Sequence, residues 1–241
     1  MPALPHGVYA IADGSAGKPV LDLVGAFVRG GAAVVQLRMK ASGFGPRDWG
    51  LGPEASGSGE FLALAREARK LCVRGKTLLI VNDRPDIARL AEADGVHLGQ
   101  ADLPLAEARS IVGPHMIVGV STHSDAEIDA AQGADYIGFG PIFATQSKPG
   151  AKLPPPHGLE GLRRAVKRSR VPIVAIGGIT VANASEVAKA GAHCVASIAE
   201  LCGASDPEAA TRVMAAAFQP EARGPKPEAS AAASAAPKAR R

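Results

Sequence analysis

Asp83 and Asp102 are the residues whose types and placement promise chemistry. Asp83 ends the apolar run Leu78-Leu79-Ile80-Val81-Asn82-Asp83, and Asp102 closes Gly95-Val96-His97-Leu98-Gly99-Gln100-Ala101-Asp102. Carboxylates just past two buried strands can converge on one hard divalent cation. Cationic residues hold equivalent places: Arg38 and Lys40 follow Val34-Val35-Gln36-Leu37, and Lys148 lies beyond the apolar run at 136–140. A metal between carboxylates, ringed by Arg and Lys, suits a diphosphate, and this is an enzyme's chemistry.

Bringing those groups together needs a particular frame. Short apolar, β-branched runs alternate with longer amphipathic ones. Strands are expected over 8–12, 33–37, 77–82, 95–98, 116–120, 136–140, 172–175 and 193–197. Helices are expected near 18–30, 59–74, 84–93, 104–112, 124–132, 158–169, 181–190 and 206–217. Eight such units predict a (β/α)8 TIM barrel, a single catalytic domain over 1–218. The strands read as continuous apolar runs, as a parallel sheet covered by helices requires. An open doubly wound sheet is the alternative, and the unbroken regularity favours closure. Asp102 with Pro104, and Ser124 with Asp125, read as helix starts.

In a barrel the carboxyl ends of the strands share one mouth. This gathers Gln36, Arg38, Lys40, Asn82 and Asp83, then Asp102, Ser121 and Thr122, then 145–148, Gly177, Gly178 and 197–199. In Gln36-Leu37-Arg38-Met39-Lys40, alternate residues share a face, so three polar heads aim one way and Met39 the other. Gly177-Gly178, with Ser197-Ile198-Ala199, reads as a second anion site, because glycines let backbone N–H groups approach closely. A metal-bound diphosphate on one side and a monophosphate on the other follow. His97 is expected to be an interior hydrogen-bonded residue rather than a metal ligand, and His123 a mouth residue able to carry a proton.

Composition excludes several classes. The chain has 241 residues, 46% of them hydrophobic and 4% aromatic, so Ala, Val, Ile and Leu must build the core. Of the +4 formal charge, five Arg/Lys against two Glu from Gln219 onward carry +3, and the near-neutral body is no nucleic-acid module. Cys72, Cys194 and Cys202 lack C-x-x-C spacing and should be buried thiols, neither bridged nor zinc-bound. No apolar stretch reaches the roughly 20 residues of a membrane span, and residues 1–6 do not read as a signal peptide, so a cytoplasmic protein without a membrane partner is expected. Residues 41–59, with six glycines and the sole Trp, form an insertion that is either a lid or an ornament. Residues 219–241 read as a disordered tail. The pattern fixes no oligomeric state.

The motifs then converge. Gln36-Leu37-Arg38-x-Lys40, Asn82-Asp83-Arg84, 95–102 as above, Gly119-Val120-Ser121-Thr122-His123, 135–145 with Lys148-Pro149, and Ile176-Gly177-Gly178-Ile179 together resemble the thiamine-phosphate synthase family. The order is the family's, from about Val8 to Gly203. The resemblance implies a (β/α)8 barrel that joins hydroxymethylpyrimidine diphosphate to thiazole phosphate, taken as such or as a carboxylated tautomer, with release of pyrophosphate. It implies Mg²⁺ on Asp83 and Asp102. It places the pyrimidine diphosphate on Gln36, Arg38, Lys40, Asn82, Ser121 and Lys148, with Arg38, Ser121 and Lys148 catalytic. It places the thiazole phosphate on Thr145, Gln146, Ser147, Gly178, Ile198 and Ala199.

The chain departs from the family pattern at Met39 and Ala101, where Glu is usual, at Ser147 for Thr and at Ala199 for Ser. The strand-end set is dominated by donors and cations, which predicts electrostatic catalysis of a dissociative displacement. A thiazole phosphate tautomerase using His123 is the enzymatic rival, and a non-catalytic phosphate-ligand sensor the other. The complete diphosphate set argues against both.

Overall fold

A computed structural model describes residues 3–39, 57–145 and 154–217. Its eight strands are parallel and close in chain order: β1 (Gly7–Asp13), β2 (Val34–Arg38), β3 (Leu78–Asn82), β4 (Gly95–Leu98), β5 (Ile117–Thr122), β6 (Tyr136–Phe139), β7 (Ile173–Ile176) and β8 (Cys194–Ser197), the last pairing with β1. Around them lie α1 (Val20–Arg29), α2 (Ser58–Gly75), α3 (Pro85–Leu90), α4 (Leu105–Val112), α5 (Asp125–Ala130), α6 (Gly158–Arg168), α7 (Ala184–Lys189), α8 (Ala199–Gly203) and α9 (Pro207–Ala216). The fold is the expected (β/α)8 barrel.

The strands sit within two residues of their expected positions. α3, α5 and α7 are shorter than expected, and α8 was not foreseen, since five residues cannot display a helical period. The insertion ends at Gly57, not residue 59, because Gly57 is the N-cap of α2. Lys40, Gln146, Ser147 and Lys148, with residues 41–56 and 218–241, lie outside the described residues.

Strand alternation builds two apolar layers. Tyr9, Ile11, Val34, Ile80, Tyr136 and Val174 fill the bore. Val8, Ala10, Val35 and Leu37 face outward with Met39, against helix residues such as Leu23 and Phe27. Met39 thus turns away from Gln36 and Arg38, as alternation predicted. Cys72, Cys194 and Cys202 are buried and free, and burial pushes their thiols up to about 12, 12 and 11.

At the amino ends of the strands one device recurs. Asp94, just before β4, accepts the Leu79 N–H of β3 at 2.8 Å and the Arg69 guanidinium of α2 at 2.7 Å. Asp135, just before β6, accepts the Val118 N–H of β5 at 2.7 Å and Arg109 of α4 at 2.6 Å. Each clasp satisfies a strand-edge donor and ties a helix to the barrel's lower rim. Among the described residues no helix is long and apolar enough to cross a membrane.

Candidate active site

β2 and β3 deliver Gln36, Arg38, Asn82 and Asp83 to one lobe of the mouth, which His97 and Ser121 also line and which Tyr9 and Tyr136 floor. The register sets Arg38 opposite Asp13, at the end of β1, and the two form an ion pair. Asp13 is 2% exposed and also accepts the Ser15 N–H at 2.8 Å and hydroxyl at 2.6 Å. A carboxylate so fully engaged holds the guanidinium at a fixed place.

Asp83 leaves β3 in a left-handed conformation, φ 62°, with its N–H donating to the His97 carbonyl at 2.8 Å. Asp and Asn tolerate this region better than most residues. Asp102 does not start a helix as expected: the N-cap of α4 is Pro104, and the Asp102 carboxylate turns back to accept the Gly99 N–H at 2.7 Å. A Cβ on Gly99 would stand 2.7 Å from Asp102 Oδ2, so a side chain there would push this carboxylate aside. Asp102 lines a groove beside the lobe, and Gly99 borders both. Ser124, by contrast, caps α5 by accepting the Glu127 N–H at 3.3 Å.

The donor set suits one kind of metal. Among the described residues no three His, Cys, Asp or Glu side chains cluster into a cage. Asp83 directly follows β3 and Asp102 lies beyond β4, and both offer carboxylate oxygens, the donor type that hard divalent cations take. Structural zinc would require four N or S ligands.

A second lobe lies beyond β5–β8, lined by Thr145, Gly177, Gly178, Ile198 and Ala199, and it shares Ser121, Gly138, Ile176, Ala196 and Ile198 with the first. Gly178 has φ 64°, and a Cβ there would stand 2.6 Å from the Ala144 carbonyl oxygen, so no side chain fits. Asn183 fastens this turn, accepting the Thr180 N–H at 2.8 Å and donating to the Gly178 carbonyl at 3.1 Å. His123 borders the lobe with its Nδ1 3.2 Å from Glu127. His97 is the hydrogen-bonded interior residue expected, 2.9 Å from both Tyr136 and Ser121. Arg84 of the Asn-Asp-Arg motif turns outward, to Asp86 at 2.5 Å and Ser58 at 3.0 Å.

Residues 8–201 match the family model described as thiamine monophosphate synthase. The chain belongs to the thiamine monophosphate synthase family. Its sequence is 44% identical over 216 residues to a thiamine-phosphate synthase of Anaeromyxobacter dehalogenans, covering 88% of each chain. It is 41% identical over 202 residues to that of Pelotomaculum thermopropionicum, covering 83% of this chain and 85% of the relative. Its structure is similar to a thiamine phosphate pyrophosphorylase from Pyrococcus furiosus, at TM-score 0.75 and 33% identity, covering 90% of this chain and 97% of that one.

In this member of the thiamine monophosphate synthase family, Tyr9, Asp13, Tyr136 and Asn183 also build the mouth. Asp13 carried a usable signal, since it ends the first strand as Arg38 ends the second. The two tyrosines carried none, because an aromatic inside an apolar strand reads as core.

Proposed function

We propose that the protein condenses hydroxymethylpyrimidine diphosphate with thiazole phosphate to give thiamine phosphate and pyrophosphate. The observation that carries this reading is the two-lobed mouth. One lobe gathers Gln36, Arg38, Asn82, Asp83 and Ser121, the other gathers Gly177, Gly178 and Ala199, and Ser121 borders both. A pocket bearing Arg38 and polar donors beside a glycine-rich one is how a diphosphate and a monophosphate would be held within reaction distance.

Asp83 and Asp102 would hold Mg²⁺, which when bound draws off negative charge building on the leaving diphosphate. Arg38 and the Ser121 hydroxyl share that charge from the protein side, with Lys40 and Lys148. Gln36 and Asn82 orient the pyrimidine. As the C–O bond to the diphosphate breaks, the electron-rich aminopyrimidine spreads the positive charge on its methylene. The thiazole nitrogen then forms the new C–N bond, with the thiazole held through its phosphate by the backbone at Gly178, Ile198 and Ala199 and by Thr145, Gln146 and Ser147. No general base is needed for this displacement.

The test mixes both substrates with and without Mg²⁺ and measures thiamine phosphate. Metal-dependent product supports the reading. Rearranged thiazole phosphate alone would identify a tautomerase working through His123 and Glu127, and binding without turnover a sensor.

A further inference from the structure

Five side chains form one continuous hydrogen-bonded line across the barrel interior, from β2 through β1, β6 and β4 to β5. Gln36 Nε2 donates to the Tyr9 hydroxyl at 2.9 Å, and the Tyr9 and Tyr136 hydroxyls meet at 2.7 Å. Tyr136 meets His97 Nδ1 at 2.9 Å, and His97 Nε2 meets Ser121 Oγ at 2.9 Å.

Proton counting gives the line a direction. An amide nitrogen only donates, so Tyr9 accepts from Gln36. Among the described residues the other partner of the Tyr9 hydroxyl is Tyr136, so its single hydrogen goes there. Tyr136, having accepted, gives its own hydrogen to His97 Nδ1. A neutral imidazole that accepts at Nδ1 carries its proton on Nε2 and donates with it. Ser121 Oγ therefore accepts from His97, which leaves the serine's own hydrogen for the cavity.

We propose that this line makes His97 a positioning residue, fixed as its Nε2–H tautomer, whose effect is to turn Ser121 into a donor toward the ligand. The group that meets Ser121 must then be an acceptor, such as a phosphate oxygen. Its identity as the leaving diphosphate rests on the proposed synthase reaction, whereas the tautomer does not. Burial raises both tyrosine hydroxyls above their ordinary range, so neither tyrosine ionises at working pH. Hydrogen bonds in such a chain reinforce one another.

Two variants and one spectrum test it. In ligand-free protein with ¹⁵N-labelled histidine rings, the His97 signals are those missing from the spectrum of His97→Gln. Long-range ¹H–¹⁵N correlations should show His97 protonated at Nε2 and bare at Nδ1. A proton on Nδ1 would reverse the whole line and overturn the proposal. Tyr136→Phe removes the donor that sets the tautomer, and should mix the two forms and lower kcat about three- to ten-fold with little change in KM. His97→Gln, whose amide can still donate to Ser121, should keep more activity than His97→Leu. Equal activity of those two variants, or unchanged kcat in a folded Tyr136→Phe protein, counts against the proposal. Should the wild type make no thiamine phosphate, the synthase reading falls separately. The comparison is then made with inorganic pyrophosphate, and unaltered affinity in Tyr136→Phe overturns the positioning role.

Discussion

Tyr9 on β1 and Tyr136 on β6 join hydroxyls at 2.7 Å across the barrel, although their strands are not neighbours in the sheet. Both are almost wholly buried, and their rings sit 5.9 Å apart at 51°. The contact ties opposite walls together beneath the mouth. It exists because β5 carries Gly119, over which the Tyr136 ring lies.

A Cβ on Gly119 would stand 2.0 Å from Tyr136 Cζ. Gly119→Ala should therefore overpack the bore and lower stability by about 1–3 kcal/mol. Urea unfolding followed by circular dichroism measures this. A midpoint matching the wild type would show that the ring moves aside freely.

Asp83 sits at φ 62°, so its replacement has two separable consequences. Asp83→Asn and Asp83→Ala should both lose metal-dependent turnover, on the order of 2–4 kcal/mol of transition-state stabilisation. Only the alanine variant should also lose about 1 kcal/mol of folding stability, because asparagine tolerates the left-handed region. Turnover and urea midpoints measured side by side separate the two. Near-normal activity in Asp83→Asn would remove Asp83 from the proposed metal site.

Asp13 grips Arg38 from a position 2% exposed to solvent. Asp13→Ala leaves a guanidinium whose side chain is only 13% exposed without this partner, which should cost about 3 kcal/mol. Asp13→Asn, which keeps an acceptor for Ser15, should cost less. In both, the KM for the diphosphate substrate should rise as Arg38 loses its fixed place. If KM stays put in both variants, Arg38 is held by something else.

What the sequence disclosed and what it withheld follow one line. Gln36, Arg38, Asn82, Asp83 and Ser121 were legible because strand ends share a mouth and alternate residues share a face. The place of Asp13 at the end of β1 was legible too, but its pairing with Arg38 was not, because that depends on the register of two strands separated by a helix. The turn of Asp102 onto Gly99 was hidden by its resemblance to a helix start. The line from Gln36 to Ser121 draws on five strands, and no spacing along the chain reports such a meeting.

His157 stacks on Phe139 with centroids 4.5 Å apart, and its Nε2 is buried with no hydrogen-bond partner among the described residues. Burial lowers its pKa from the ordinary 6.5, outweighing a hydrogen bond to the His123 backbone. The unfolded chain therefore takes up this proton first. Stability present above 6.5 is lost as pH falls through the window just beneath it. The urea midpoint should drop between about pH 7 and about pH 5, and drop less in His157→Phe. Parallel curves for the two proteins would assign the acid sensitivity to other groups.

The Arg69–Asp94 and Arg109–Asp135 clasps secure the end of the cylinder remote from the ligand lobes. Anchorage and chemistry are thereby parted along the cylinder's axis. Lengthening a connection on the upper side, as the chain does after β2, loosens neither clasp. Evolution or an engineer can therefore redraw the entrance without first reinforcing the base.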